Sequence, residues 1–336
     1  MKTLDRRLTW RRITSVVLLV ILLLAASSLP AQENYTAEEP ILLRIGYLPV
    51  LSQLPLIVSY DRDRFSYQKV RLELTGFKSY ISLEAAFRVK AIDIAYLPIP
   101  TIYGMKAEGI DILMGNSLHR GGSSLVTGSH VREKNGSATI YGIPGLRSSE
   151  LFILDNSLSG TGLKNGDDFK IVAVQLERAI DELGQGHLDG LLLPEPYPTI
   201  ASRQLAKKIL PIQLITTEDI ETPQAALVFN RNVVLSGDNG GLLEWLDSIG
   251  RACQFLEEDI QHYNGAQTIL TQQQYFGLEP SLVRQAFGNL QLSLTFSSEN
   301  IALPALEGTL EKMIFLKLLH KSINVNDMLL DPYLLQ

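Results

Sequence analysis

Cysteine is almost missing from this sequence, and the shortage limits how the folded chain can be stabilised. Cys253 is the only cysteine among 336 residues, so no intrachain disulfide can form and stability must come from a buried core. The length and the 46% hydrophobic content are sufficient for a large core. No cysteine follows the apolar run near the N-terminus, which excludes a lipoprotein anchor at that point.

Sequence motifs for catalysis are missing as well. The chain contains no G-x-x-x-x-G-K-S/T nucleotide loop and no G-x-S-x-G nucleophile motif. Its five histidines do not fall at metal-ligand spacings from one another. We therefore expect a protein that is not an enzyme, with no catalytic residues, no metal site and no cofactor.

The first 31 residues differ in kind from the rest of the chain. Four arginines precede an uninterrupted apolar run, Val16 to Ala26, and the small residue Ala31 follows. The pattern predicts a secretory signal peptide over residues 1–31. An uncleaved N-terminal membrane anchor is the alternative, because a tilted apolar run can span a thin bilayer. Both alternatives place the folded part outside the cytoplasm, in the periplasm or at the extracellular face of the cytoplasmic membrane.

Without that segment the chain is acidic. Residues 1–31 hold five of the 30 Lys and Arg residues and one of the 36 Asp and Glu residues, which leaves 25 against 35 and a net charge of −10. An acidic surface argues against nucleic acid as a partner.

An internal duplication is the most informative feature of the sequence. The stretches "AIDIAYLPIP" (91–100) and "HLDGLLLPEP" (187–196) match at an offset of 96, and "IGYLP" (45–49) matches "IYGIP" (140–144) at an offset of 95. The first match pairs Asp93 with Asp189, for which we expect a structural role at a helix-to-strand turn. One unit is therefore present twice.

Each copy alternates short apolar strands with helices, which predicts parallel sheets covered on both faces. We expect a first lobe formed by 41–130 together with 223–336, including the C-terminal helices, and a second lobe formed by 136–217. The polar segments 129–139 and 215–224 then form two hinge crossings. The predicted fold class is α/β with two lobes, and a cleft lies between the carboxyl ends of the two sheets, where ligands bind in open α/β folds.

Residues at strand ends and at nearby helix starts should line this cleft. A helix start suits a polar ligand because its first backbone N–H groups have no partner within the helix. The stretch "YGIPGLRSSELF" (141–152) reads as a strand, a turn and such a helix start. The expected ligand-binding residues are Tyr47, Gln53, Tyr96, Ser123, Arg147, Ser148, Ser149, Glu195 and Tyr197.

Most of these residues have an ordinary alternative role. Ser148 and Ser149 are equally suited to capping a helix. Arg147 can clamp a sulfonate or carboxylate with two donors or can be solvated. Glu195 stands where the first copy has Ile99, and it either accepts hydrogen bonds from an amine or faces water. The tyrosines either stack on a ring or belong to the core.

Five stretches, in this order and spacing, resemble the nitrate, sulfonate, taurine and thiamine-precursor substrate-binding proteins of ABC transporters. The resemblance covers residues 42 to 335. The stretches are "LRIGYLPVLSQLPLIVSYDRDRF", "AIDIAYLPIP", "RAIDELGQGHLDGLLLPEPYPTIA", "AQTILTQQQYFGLEPSLVRQAF" and "NVNDMLLDPYLL".

The resemblance implies a periplasmic-binding-protein fold of type II, without a cofactor. It implies a monomer that captures a small solute and delivers it to an ABC permease and its ATPase. The ligand stays open between an oxyanion (sulfonate, nitrate or bicarbonate) and a pyrimidine-type compound. An exported ligand-sensing protein of the same fold is an alternative function. A pyrimidine-precursor synthase is a further alternative, but those enzymes carry a cysteine-rich motif that this chain lacks.

Overall fold

The computed structural model describes residues 39–128, 137–205, 224–234, 239–289 and 294–330, and the backbone of 209–210. The predicted signal segment, most of the connector 129–139 and nearly all of the connector 215–224 lie outside the described residues. None of the described helices is both long enough and apolar enough to span a membrane.

The first copy of the duplicated unit forms alternating strands and helices, as its sequence predicts. The prolines that follow its apolar strands lie at strand ends and in the first turns of helices, where no interior backbone donor is lost. Its elements are β1 (Ile41–Tyr47), a 3₁₀ turn (Leu51–Gln53), α1 (Leu54–Asp63), β2 (Val70–Gly76), α2 (Tyr80–Arg88), β3 (Ile94–Pro98), α3 (Ile99–Ala107), β4 (Ile112–Met114), β5 (Ser117–Arg120) and β6 (Ser123–Thr127).

The second copy repeats this order, and the C-terminal region is mainly helical. The predicted helical region after residue 241 is interrupted by one strand. The elements are β7 (Thr139–Ile143), α4 (Ser149–Gly160), β8 (Phe169–Ala173), α5 (Leu176–Gly184), β9 (Gly190–Pro194), α6 (Tyr197–Leu205), β10 (Ile209–Leu210), β11 (Ala225–Asn230), α7 (Arg231–Val234), α8 (Gly240–Tyr263), α9 (Ala266–Tyr275), α10 (Pro280–Asn289), β12 (Thr295–Glu299) and α11 (Leu303–Phe315).

The strands form two five-stranded sheets with the same topology. The first sheet has the order β2-β1-β3-β11-β4 and the second the order β8-β7-β9-β6-β10, while β5 pairs antiparallel with β12 in a separate two-stranded sheet. In each large sheet the first three strands are parallel, and the fourth runs antiparallel to the third. We call the elements around the first sheet, with β5, β12 and α7–α11, the first lobe, and the elements around the second sheet the second lobe.

The two lobes exchange their antiparallel strands. Strand β6 comes last in the first copy but pairs with β9 of the second sheet, and β11 follows the second copy in the chain but pairs with β3 of the first sheet. The crossing into the second lobe therefore lies at Gly121 and Gly122, upstream of the boundary at residue 130 expected from the sequence. Both glycines have a positive φ, 71° and 94°, which a residue with a side chain rarely adopts.

Matching aspartates hold the third strand to the first in each lobe. The Asp93 carboxylate accepts hydrogen bonds from the backbone amide and the guanidinium of Arg44, and the Asp189 carboxylate accepts one from the amide of Ile140, at 2.7 Å. This agrees with the structural role expected for the two aspartates. It also sets the equivalence of the copies at 96 residues in β1 and β7, so that Ile45 corresponds to Tyr141. The sequence match at an offset of 95 is out of register by one residue.

Each sheet is buried by helices on both faces. In the first lobe α8 packs against α1 and buries Trp245 fully beside Leu43 and Ile45. On the other face α3 packs against α11, where the Tyr103 hydroxyl donates to the Leu306 carbonyl at 2.9 Å. The C-terminal helices thus complete the core of the first lobe.

We expect Gly241→Ala to destabilise the protein because a Cβ at this position would lie 2.6 Å from the Lys69 carbonyl oxygen and 2.5 Å from Ile41 Cγ1. That oxygen accepts the backbone hydrogen bond of Ile41, so it cannot move freely. Overpacking of this kind costs about 1–3 kcal/mol. Chemical denaturation with urea would measure the change.

The matched control is Gly250→Ala in the same helix, where nothing lies within 4 Å of the added Cβ. It should raise the free energy of unfolding by about 0.5–1 kcal/mol through helix propensity. Equal effects of the two substitutions would contradict the packing described for the start of α8.

Candidate functional site

A small polar cavity lies where the carboxyl ends of the two sheets meet. Its volume is about 20 Å³, which is little more than one water molecule occupies. Both lobes and both crossings contribute to its wall. The lining residues are Ser52, Tyr80, Tyr96, Pro98, His119, Gly121, Ser123, Ser149, Glu150, Pro194, Gln224 and Ala225.

The wall contributed by the first lobe is polar but uncharged. The Tyr96 hydroxyl accepts a hydrogen bond from the backbone amide of Leu118 at 2.9 Å and lies 2.7 Å from Nδ1 of His119. Burial lowers the pKa of His119 to about 3, so the imidazole is neutral at pH 7. Tyr96 and His119 therefore offer the cavity hydrogen-bonding groups without a charge.

The wall contributed by the second lobe carries a buried carboxyl group. Glu150 is the second residue of α4 and is only 5% exposed. The Ser123 hydroxyl donates to its Oε1 at 2.9 Å. Burial raises the pKa of the Glu150 carboxyl. Burial, followed by the charge of Glu150, also raises the pKa of the Tyr80 phenol well above its usual range.

Three of the nine expected ligand-binding residues line the cavity. Tyr96 lies in β3, Ser123 begins β6, and Ser149 begins α4. The Ser149 hydroxyl also donates to the carbonyl of Gln224, so it joins the start of α4 to the second crossing.

Tyr47 and Gln53 lie outside the lining. Tyr47 is buried against the C-terminal helices, where its hydroxyl donates to the Tyr275 carbonyl at 3.2 Å and its ring packs on Phe276. Gln53 accepts a hydrogen bond from the Leu48 amide at 2.8 Å and donates to the Tyr96 carbonyl at 3.3 Å. Gln53 therefore braces the turn after β1 rather than facing the cavity.

Arg147 and Ser148 also lie outside the lining. The Arg147 guanidinium forms an ion pair with Glu108 of the first lobe, at 2.7 Å, and the Arg147 carbonyl accepts a hydrogen bond from the Thr101 hydroxyl at 2.8 Å. Ser148 occupies the N-cap position of α4, but its side chain makes no capping hydrogen bond. Its buried hydroxyl has no hydrogen-bond partner among the described residues.

Glu195 is fully buried at the start of α6 and does not line the cavity. Its Oε2 accepts hydrogen bonds from the amide and the hydroxyl of Thr199, at 3.2 and 2.8 Å, while Oε1 has no partner among the described residues. Burial raises its pKa to about 7. Tyr197, two residues further on, is half-buried and packs against hydrophobic clusters of both lobes.

Tyr80, Glu150 and Gln224 are among the wall residues that the sequence analysis did not single out. Glu150 stands in the first turn of a helix, where an acidic residue is ordinary because it complements the helix dipole. Tyr80 begins α2, and Gln224 belongs to the second crossing. Their position in the sequence was the signal that could have identified them. Each lies at a helix start or in a crossing, and these segments meet at the strand ends.

Polar contacts outside the cavity also join the lobes. The Leu51 amide donates to the Glu195 carbonyl at 2.9 Å. Arg203 of α6 contacts Gln285 at 2.6 Å and Glu279 at 3.2 Å, both from the C-terminal helical region. With the pair of Arg147 and Glu108, these contacts join the two lobes directly.

The model of the NMT1-like family matches residues 36–270, which is more than half of the chain. The chain belongs to the NMT1-like family. A comparison with curated proteins gives no match.

Solved structures share the fold of this NMT1-like protein at low sequence identity. The ligand-binding component of an ABC-type import system from Staphylococcus aureus, solved with zinc bound, is 17% identical, with 88% of this chain and 97% of that chain covered and a TM-score of 0.73. The periplasmic aliphatic sulphonate-binding protein SsuA from Escherichia coli is 15% identical, with coverage of 87% and 93% and a TM-score of 0.68. The periplasmic nitrate-binding protein NrtA from Synechocystis PCC 6803 is 14% identical, with coverage of 87% and 86% and a TM-score of 0.71. The type II two-lobed fold expected from the sequence is thereby confirmed.

The part of this NMT1-like protein that the structure describes contains no group of three or more His, Cys, Asp or Glu side chains arranged to hold a metal ion.

We expect Glu195→Gln to stabilise the protein more at pH 8 than at pH 5. The folded-state pKa of about 7 lies above the unfolded value near 4.5, so the wild type loses stability as the pH rises through this interval. A glutamine carries no such loss. The difference between the two pH values should be on the order of 2 kcal/mol, measured by urea unfolding.

His119 also makes the stability depend on pH, but in the opposite direction: its lowered pKa destabilises the fold as the pH falls. This contribution is the same in the variant and the wild type, so it cancels in the difference between their free energies of unfolding. Glu258→Gln, at an exposed position of α8, controls for the loss of one acidic residue. A difference between Glu195→Gln and wild type that does not change with pH would contradict the burial of an ionisable Glu195.

Proposed function

We propose that this chain is the extracytoplasmic solute-binding component of an ABC importer. The observation that carries the proposal is the polar cavity enclosed between the carboxyl ends of two equivalent sheets, with side chains from both lobes in its wall. A ligand held there contacts both lobes at once, so its binding free energy favours the closed arrangement over an open one. Membership of the NMT1-like family and the descriptions of the structural relatives support the same function.

The cavity is too small to hold a solute of several atoms in its present form. About 20 Å³ does not admit a solute of several atoms, so the lobes must separate for binding. The two crossings supply the hinge, and at the first of them Gly121 and Gly122 have backbone angles that favour glycine. We propose that the protein alternates between open and closed arrangements about these crossings.

The proposal assigns roles to the expected site residues. Tyr96, Ser123 and Ser149 contact the solute from the cavity wall, together with Glu150. Gln53 and Tyr197 position the wall, and Arg147 helps to hold the lobes together in the closed arrangement through Glu108. The protein is exported, acts as a monomer without a cofactor, and presents its closed form to a permease and its ATPase.

A thermal-unfolding screen tests the function. The panel is nitrate, bicarbonate, ethanesulfonate, taurine, 4-aminopyrimidine, guanidinium and ethylammonium. A ligand that binds only the native state raises the unfolding midpoint by mass action. We expect at least one member to raise it, and the same compound to reduce the radius of gyration in X-ray scattering. A panel that leaves both quantities unchanged would contradict a solute-binding role for this cleft.

Arg203→Ala should weaken binding of the best panel compound although Arg203 lies outside the cavity. The substitution removes contacts to Glu279, Ser281 and Gln285 that form between the lobes. An exposed ion pair contributes little to stability, and destabilisation of the binding-competent state reduces affinity in proportion. The expected loss is therefore up to about fivefold in calorimetry.

Arg178→Ala is the matched control, because Arg178 pairs with Glu182 within α5 and does not join the lobes. Its affinity should equal that of the wild type. Equal affinities of Arg203→Ala and Arg178→Ala would mean that the contacts of α6 do not contribute to closure.

A further inference from the structure

The described lining of the interlobe cavity contains an acidic side chain and no lysine or arginine. Glu150 is the one Asp or Glu among its lining residues, and the described lining contains no Lys or Arg. His119 is buried and neutral at pH 7 because burial lowers its pKa to about 3. An oxyanion in this cavity would therefore meet a carboxylate and no opposite charge.

The two arginines nearest in sequence to the wall are directed at other carboxylates. The Arg147 guanidinium, three positions before Glu150, lies 2.7 Å from Glu108. Arg120, three positions before Ser123, lies 2.9 Å from Glu299. The basic residues that sequence reasoning would use to clamp an anion are thus paired with carboxylates outside the cavity.

Glu150 has the geometry of a ligand-selecting group. Its carboxyl lies in the cavity wall with only 5% of the residue exposed, and Ser123 donates to one of its oxygens. A carboxylate accepts about four hydrogen bonds, and a buried charge is unfavourable unless it is paired. The positive end of the α4 dipole and the Ser123 hydroxyl offset part of this cost. A positively charged donor from a ligand would offset the remainder.

Aromatic groups at the same cavity are suited to a cation as well. Tyr80 and Tyr96 both line it. The faces of aromatic rings attract cations, most strongly where water is excluded. The hydroxyl groups of Ser123 and Ser149 donate to Glu150 and to the Gln224 carbonyl, and their oxygens remain as further acceptors close to the carboxylate.

We propose that the cleft selects a compact organic cation of the ammonium or guanidinium type, in preference to an oxyanion, and that Glu150 pairs with its charged nitrogen. This inference rests on the proposed solute-binding function and names the ligand class of the same cavity.

The test compares probes of similar shape and opposite charge. Guanidinium and nitrate are both planar and threefold, and ethylammonium and ethanesulfonate share an ethyl group. Isothermal titration of the full chain at pH 7.5 should show at least one cation binding tenfold or more tightly than its anionic counterpart. Glu150→Gln should weaken cation binding at least tenfold and leave nitrate and ethanesulfonate binding unchanged or improved.

Glu177→Gln is the matched control. Glu177 is also the second residue of a helix of the second lobe, α5, but it is exposed and does not line the cavity. Its affinities for all four probes should stay within twofold of wild type. A twofold or smaller effect of Glu150→Gln on cation binding would overturn the role of Glu150.

If Glu150→Gln does not fold, the preference of the wild-type protein for cations over anions still tests the ligand class. Tighter binding of nitrate or ethanesulfonate than of both cations would overturn the ligand class while leaving the solute-binding function intact. Failure of both cations to bind would also overturn it. Only the absence of any response across the wider thermal panel would remove the proposed function itself.

Discussion

The structure depends on the burial of backbone groups where two sheets end against each other. Water is largely excluded at this junction, so the N–H and C=O groups of the strand ends must find partners there. They do so in an equivalent way in both lobes: the Ile99 amide donates to the Gln224 carbonyl, and the Glu195 amide donates to the Gly122 carbonyl. A further bond, from the Leu51 amide to the Glu195 carbonyl, joins one lobe to the other. Because these bonds use the backbone, they tolerate wide changes of side chain, which fits a fold shared at 14–17% identity.

Side chains that form hydrogen bonds with the backbone were the part of the structure that the sequence predicted best. Asp93 and Asp189 recur because each accepts the amide of the first strand of its unit, and no other residue of that size offers a carboxylate at that point. The strands and helices of both copies were predictable for the same reason, since apolar periodicity and proline follow from burial and from missing donors. The residue-by-residue equivalence of β1 and β7 was predicted one residue out of register. The stretches "IGYLP" and "IYGIP" were aligned on their shared isoleucine and proline and not on the hydrogen bonds of the aspartates. The two crossings were predictable in number, but the first was misplaced because Ser123–Thr127 reads as an ordinary polar segment until its partner strand is known.

The site was predictable in position and less so in identity. Tyr96, Ser123 and Ser149 follow from topology, because strand ends and helix starts converge at the cleft. Arg147 has the same sequence position but a different direction, since Glu108 of the other lobe determines where its guanidinium points. Glu195 turns to Thr199 and serves the start of α6. The directions of long side chains are set by partners that are distant in sequence, so a single sequence does not reveal them.

On the proposed assignment, closure and ligand selection depend on the same carboxylate. With the lobes apart, water solvates Glu150. Closure leaves it in a cavity with no basic residue in its described wall, and its partner Ser123 belongs to the same lobe. Closure around an empty cavity is therefore opposed by desolvation of that charge, and closure around a cation is not. A ligand that neutralises Glu150 thus binds the closed state more tightly than the open state, which is the difference in affinity that a conformational switch requires. An oxyanion of equal size would destabilise the closed state. The acidic character of the chain acts in the same direction at longer range, because negative potential concentrates cations at the mouth of an open cleft.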